Sequence, residues 1–203
     1  MERLKVSKWK ESLSSEERQL TDRLLALPEK VLQFGTGVLL RGLPDYFIDL
    51  ANKKRQFQGR IVVIKSTSTG GTEDFITQDC LYTHLIRGVD QGAIVDEAII
   101  NASISRVLSA QTDWKEILQC AENPEMEIII SNTTEAGLTY RPELISEEVP
   151  QSFPGKLLAW LLHRYRYFGG DPSSGMIIIP TELVTDNGGM LSRILIDLAR
   201  FNS

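Results

Sequence analysis

Four short apolar runs punctuate the chain: KVLQF (30–34), RIVVIK (60–65), EIIISN (127–132) and MIIIPTE (176–182). They are continuous rather than alternating, and the last three are rich in β-branched residues. Such runs mark strands covered on both faces, as in a parallel sheet. Between them the period changes to that of a helix. Residues 45–54 set Tyr46, Phe47, Leu50 and Ala51 at helical spacing, with Pro44 blurring the start. Residues 112–121 read as a helix capped by Thr112 or Asp113 and stopped by Asn123-Pro124. Residues 153–168 carry Leu157, Leu158, Leu161, Leu162 and Tyr165 on one side, and 188–201 are helical again. CLYTHLIRG (80–88) reads as a further strand, and 92–109 holds one or two short extended pieces. Residues 66–78, 133–143 and 169–175 read as loops.

Strands alternating with helices imply βαβ units. The expected fold is α/β, with a doubly wound, mostly parallel sheet. Residues 1–29 form an N-terminal extension. Within it, 15–27 predicts a short helix capped by Ser14 or Ser15 and ended by Pro28. Residues 30–203 form the single expected domain.

Composition narrows the function classes. The 203 residues carry a net charge of -5 with acids and bases well mixed, so a nucleic-acid surface is not expected. No apolar run nears the ~20 residues that span a bilayer. The first 20 residues lack an apolar signal core, and a cytoplasmic protein is expected. Cys80 and Cys120 read as free thiols. His84 and His163 are isolated, and no structural metal is expected.

Candidate chemistry begins at the first strand. In KVLQFGTGVLLRG, Gly35 and Gly37 follow an apolar run and open an amphipathic segment. In a dinucleotide cradle the first glycine permits the tight turn, and the second lets the backbone approach a pyrophosphate on a helix N-terminus. Leu40 stands where the third glycine of that pattern falls, so the helix cannot pack as closely there. Arg41 offers a guanidinium to phosphate. The acid expected at the end of the second strand is replaced by Lys65, followed by Ser66 and Thr67. That suits a ribose phosphate better than a free diol, or is simply a solvated lysine, so NAD and NADP both stay open. Two polar rims follow later strands. SNTTEAG (131–137) supplies Asn132, Thr133, Thr134 and Glu135. PTELVTDNGG (180–189) supplies Glu182, Asp186 and Asn187, of which the last two serve equally well as a turn and helix cap.

VLQFGTGVLLRG, QDCLYTHLIRG, NPEMEIIISNTTEAGLTY and MIIIPTELVTDNGG occur in this order. Together they resemble the N-terminal half of the tagaturonate reductases, or altronate oxidoreductases, of the long-chain mannitol dehydrogenase family. The resemblance runs from about Lys30 to the end. It implies a Rossmann-type domain, NAD as cofactor, and reversible reduction of D-tagaturonate to D-altronate in hexuronate catabolism. It places Phe34, Gly35, Thr36, Gly37, Val38, Leu39 and Arg41 in the cofactor segment. Asn132, Thr133 and Glu135 fall in the nucleotide-side loop, and Glu182, Asp186 and Asn187 on the substrate-side rim. It also implies a helical catalytic domain whose proton-transfer lysine sits in a K-x-x-x-x-N-x-x-H motif. That motif is absent from these 203 residues, so no catalytic residue is expected here. Lys156, at the start of a helix, reads as solvated. The chain is expected to be the cofactor half of such an enzyme, needing the missing domain or a partner chain to handle its sugar acid. A non-catalytic nucleotide-binding module and a Rossmann-like domain without a ligand are the alternatives.

Overall fold

The computed structural model describes residues 4–67, 71–134, 137–146 and 148–203. Five strands form one wholly parallel sheet: β1 (Glu29–Phe34), β2 (Arg60–Lys65), β5 (Ile104–Ser109), β6 (Ile128–Ser131) and β7 (Ile177–Pro180). The spatial order is β5-β2-β1-β6-β7. From β1 the chain builds outward on one side through β2 and β5, then crosses to β6 and β7 on the other. The order reverses at β1, and ligands of open α/β sheets collect in the crevice at such a point.

Helices cover both faces. Alternate residues of β1 and β2, Leu32, Phe34, Val62 and Ile64, pack beneath α6 (Trp114–Gln119), α7 (Phe153–Tyr167) and α8 (Asn187–Phe201). The other set, Val31, Ile61 and Val63, packs beneath α3 (Val38–Gly42), α4 (Pro44–Lys53) and α5 (Glu73–Thr77). This is why the strands read as unbroken apolar runs: all six β2 positions are buried. At the edge the cover fails. Ile178 of β7 meets the core, but Ile177 and Ile179 on the opposite face are 62% and 43% exposed.

The doubly wound expectation holds, with local corrections. The stretch read as a loop at 66–78 contains α5, an amphipathic turn whose Phe75 packs against the sheet. The strand read at 80–88 begins at Tyr82, because Cys80 adopts φ +59° in the turn before it. That strand, β3 (Tyr82–Asp90), pairs antiparallel with β4 (Ala93–Asn101) in a separate hairpin lying between β2 and β5 in the chain. The N-terminus adds α1 (Val6–Glu11), which the periodicity did not reveal, before α2 (Ser15–Leu25). Ser14 caps α2 in a reciprocal capping box with Glu17. The α2 segment is tied down: Thr21 and Leu24 are buried, and Arg60 donates to the Leu25 carbonyl at 3.0 Å. Both cysteines are free and buried.

Candidate functional site

The site grows from the end of β1. Gly35 adopts φ +128°, and its N–H donates to the Ile64 carbonyl at 3.0 Å. A Cβ built there would stand 3.0 Å from the Asn132 carbonyl oxygen and 3.0 Å from Leu40 Cδ1. The backbone conformation and the close approach both require glycine. Leu40 is fully buried and fills the space beside the turn, as its substitution for the third glycine implies. Gly37 differs. It caps α3 in an extended conformation, and a Cβ there would meet nothing within 4 Å. Among the described residues, no neighbour demands glycine at this position.

Beneath the turn lies a buried polar cluster. Gln33 donates to the Gly35 carbonyl at 3.3 Å and to Asp45 Oδ2 at 3.4 Å. Asn101 donates to the Asp45 backbone carbonyl at 3.1 Å. Asp45 is fully buried, and desolvation pushes its carboxyl up to about 7, opposed by Gln33 and Arg41. Arg41 itself turns away from the glycines: its guanidinium lies 5.6 Å from the Phe75 ring centroid, and it lines a hollow against Tyr82 and His84 of β3.

Phe34, Gly35, Thr36, Asn132 and Thr133 share one cleft of about 320 Å³ at the carboxyl ends of β1, β2 and β6. Gly37, Val38 and Leu39 do not line it: they are exposed on α3 and its cap, and Val38 lines the hollow that holds Arg41. Asn132 also ties β6 to β7, donating to the Thr181 carbonyl at 2.8 Å. Glu182, after β7, is 3% exposed and accepts from the Thr133 N–H at 3.0 Å. Its Oε2 is buried with no partner among the described residues. Asn187 donates to the Pro180 and Glu182 carbonyls and so holds this loop. Asp186 is exposed, caps α8 with φ +57°, and pairs with Arg193 at 3.2 Å. Glu135 lies outside the described residues.

The lysines are the correction. Lys156 and Lys65, both open to a solvated reading, are 3% and 7% exposed and line the cleft. Each ammonium donates to a backbone carbonyl: Lys65 to Thr67 at 2.6 Å, Lys156 to Gln151 at 2.8 Å. Burial holds Lys156 below the usual lysine range, with Glu143 opposing. The sequence showed Lys156 only as the first turn of a helix. Its surroundings include Gln151, whose carbonyl it meets, and Glu143, for which no local pattern exists.

Among the described residues, no three metal-ligating side chains gather, and no helix is long and apolar enough to cross a membrane. Comparison with known proteins agrees with the geometry. The Mannitol dehydrogenase Rossmann domain matches residues 29–202. The altronate oxidoreductase of Halalkalibacterium halodurans is 46% identical over 176 residues, which are 86% of this chain and 34% of that protein. The altronate oxidoreductase of Phocaeicola vulgatus is 40% identical over 83% of this chain and 35% of its own length. The chain thus spans about a third of the curated relatives it matches. Two solved structures share the fold. One is Pseudomonas fluorescens mannitol 2-dehydrogenase in a ternary complex with NAD and D-mannitol, with TM-score 0.70 and 20% identity over 89% of this chain and 39% of that one. The other is a substrate-free D-sorbitol dehydrogenase, with TM-score 0.72 and 17% identity over 87% and 39%. The reversal of strand order at β1, the glycine turn above it and these matches lead to one assignment: the chain belongs to the mannitol dehydrogenase family and corresponds to its Rossmann domain.

Proposed function

We propose that this chain is the cofactor-holding part of an NAD-dependent oxidoreductase that interconverts D-tagaturonate and D-altronate in the cytoplasm. A helical catalytic domain or partner chain completes it. The observation that carries the reading is the contrast between the two glycines. Gly35 is glycine because protein atoms crowd it, whereas Gly37 faces open space at the sheet's reversal point. The substrate assignment rests on the names of the curated relatives.

When bound, the nicotinamide exchanges a hydride with the substrate carbon. This chain's residues bind and orient. The Gly35–Gly37 turn and the first N–H groups of α3 take the pyrophosphate. Phe34, Thr36, Asn132 and Thr133 line the dinucleotide's path, with Val38 and Leu39 at its mouth. Glu135 joins the nucleotide side by resemblance. Glu182, one oxygen of which has no partner among the described residues, faces the substrate side beside Asp186 and Asn187. Arg41 reaches a phosphate only by leaving its place over Phe75.

The proton donor belongs to the K-x-x-x-x-N-x-x-H segment of the missing part. The chain by itself is therefore expected to bind cofactor weakly and turn over negligibly. Titration with NADH, followed by its fluorescence, tests the cradle. Gly37→Trp should bind at least 100-fold more weakly while remaining folded; equal binding by both would sink the reading. A non-catalytic nucleotide-binding module is the second reading. The exposed β7 face, Ile177 and Ile179 with Leu183 nearby, suits either case, since it leaves room for further protein. Coding DNA beyond the Ser203 codon separates the two by whether it encodes K-x-x-x-x-N-x-x-H.

A further inference from the structure

Beneath the glycine turn, Gln33 and Asp45 cannot both be satisfied as an amide and a carboxylate. Both are fully buried. The carbonyl of Gly35 can only accept, so it fixes the sense of the Gln33 amide, whose Nε2 donates to it at 3.3 Å. The other Nε2 hydrogen goes to Asp45 Oδ2 at 3.4 Å, and the amide nitrogen is then spent. Gln33 Oε1 and Asp45 Oδ1, the second oxygens of the two joined groups, are both buried with no partner among the described residues. Two acceptors cannot satisfy one another, and orphaned buried oxygens are costly. One proton on Asp45 meets the need of both: Oδ1–H donates to Oε1 while Oδ2 still accepts from Nε2, a carboxylic acid and an amide paired head to head.

The neighbouring groups leave that pair to itself. From α3, Arg41 acts on Asp45 as a charge, but its guanidinium rests on Phe75. From β3, Tyr82 spends its hydroxyl on the Arg41 carbonyl at 2.7 Å. From β4, Asn101 bonds the Asp45 backbone. On α4, Asp49 is a second buried acid, paired with Lys53. We infer that Asp45 is a positioning residue: as the neutral acid it closes the pair with Gln33, which holds the Gly35 carbonyl and keeps the floor of the turn uncharged, so that dinucleotide affinity falls when the pair loses its proton. The inference rests on the dinucleotide reading above and deepens it by making the cradle pH-sensitive. With the Asp45 carboxyl lifted to about 7 by burial, the proton is held at pH 6 and lost by pH 9.

The test is calorimetric titration with ADP-ribose, whose pyrophosphate keeps its charge between pH 6 and pH 9, with melting curves at each pH to confirm a folded chain. Wild-type affinity should fall by about 10- to 100-fold across that range, as the competent, protonated fraction shrinks to about 1%. Asp45→Asn supplies the same donor and acceptor at every pH, so its affinity should change less than about threefold. Gln33→Leu, which frees the Gly35 carbonyl, should bind weakly throughout. Infrared difference spectra read the pair without any ligand: a protonated-carboxyl C=O band should be present at pH 6, fade towards pH 9 and be missing from Asp45→Asn. A wild-type affinity that stays flat overturns the inference and leaves the cradle intact. So does a slope that persists in Asp45→Asn, which would move the effect to a group such as Lys156, or the absence of the band at pH 6. If a chain that melts cooperatively binds no ADP-ribose at any pH, the dinucleotide reading itself falls, and the role of Asp45 in binding with it.

Discussion

At the amino end of the sheet, Arg164 donates to the carbonyls of Ala121, Asn123, Met126 and Ser174, joining the approaches to β6 and β7. Arg60 does the same for Leu25 and Ile104, and Arg106 pairs with Glu29 at 2.9 Å. At the carboxyl end, Gln33, Asp45, Ser66, Ser131 and Glu182 each keep a buried oxygen with no protein partner among the described residues. The amino-end nitrogens left over, Arg23 Nη1 and Arg60 Nε, belong to guanidiniums bonded through their other nitrogens. Guanidiniums buried at the amino end are bonded from several sides, whereas buried polar oxygens at the carboxyl end are left partly unmet among the described residues.

The largest expected effect strikes the carboxyl end. Asp45 has a folded pKa of about 7, above its ordinary 3.8. The folded state therefore holds a proton that the unfolded state has lost between about pH 4 and pH 7. Stability should be greatest below that window and fall as pH rises through it, by on the order of 4 kcal/mol. Asp45→Asn should flatten the slope, as urea titrations at several pH values would read. An unchanged slope would mean that Asp45 is solvated.

Next comes the amino end. Arg164→Ala removes four bonds to backbone carbonyls, two of them buried, and should cost about 3 kcal/mol in urea denaturation. NADH affinity of the folded fraction should not change. Loss of affinity at unchanged stability would erase the distinction between the two ends. Gly35→Ala should cost roughly 2 kcal/mol, from a strained φ and two contacts at 3.0 Å. Gly37→Trp, by contrast, should change thermal stability by less than about 0.5 kcal/mol, because no described residue lies within 4 Å of that position. The smallest effect belongs to the exposed edge. Ile177→Thr should alter the melting of this chain by less than about 0.5 kcal/mol, and a larger loss would place Ile177 in the core.

The sheet was legible because burial on both faces writes itself locally, as an unbroken β-branched run in 60–65 and 127–132. The glycine turn was legible for a similar reason: the φ of Gly35 is a property of one residue. What stayed hidden depends on distant partners. Nothing beside Lys156 announces that it will be buried with Glu143 and Gln151 nearby, nor does Lys65 reveal that its ammonium will fold back to the Thr67 carbonyl. Asp45 opens the helical stretch read at 45–54 with nothing local to mark it as buried, and its partners Gln33 and Asn101 lie 12 and 56 residues away. The short helices α1 and α5 carry too few turns to display a period. Arg41 was read from its place in a motif, yet Phe75 decides where it rests.

The central strand has one further consequence, for how the chain is made. Val31 of β1 pairs with Ile128 of β6, 97 residues later. At about 5–20 residues per second, ribosomal synthesis leaves that flank of β1 without its neighbour for some 5–20 s. Throughout this interval KVLQF offers bare amides and carbonyls to any passing strand. The nascent chain should therefore depend on holding chaperones more than its finished stability suggests.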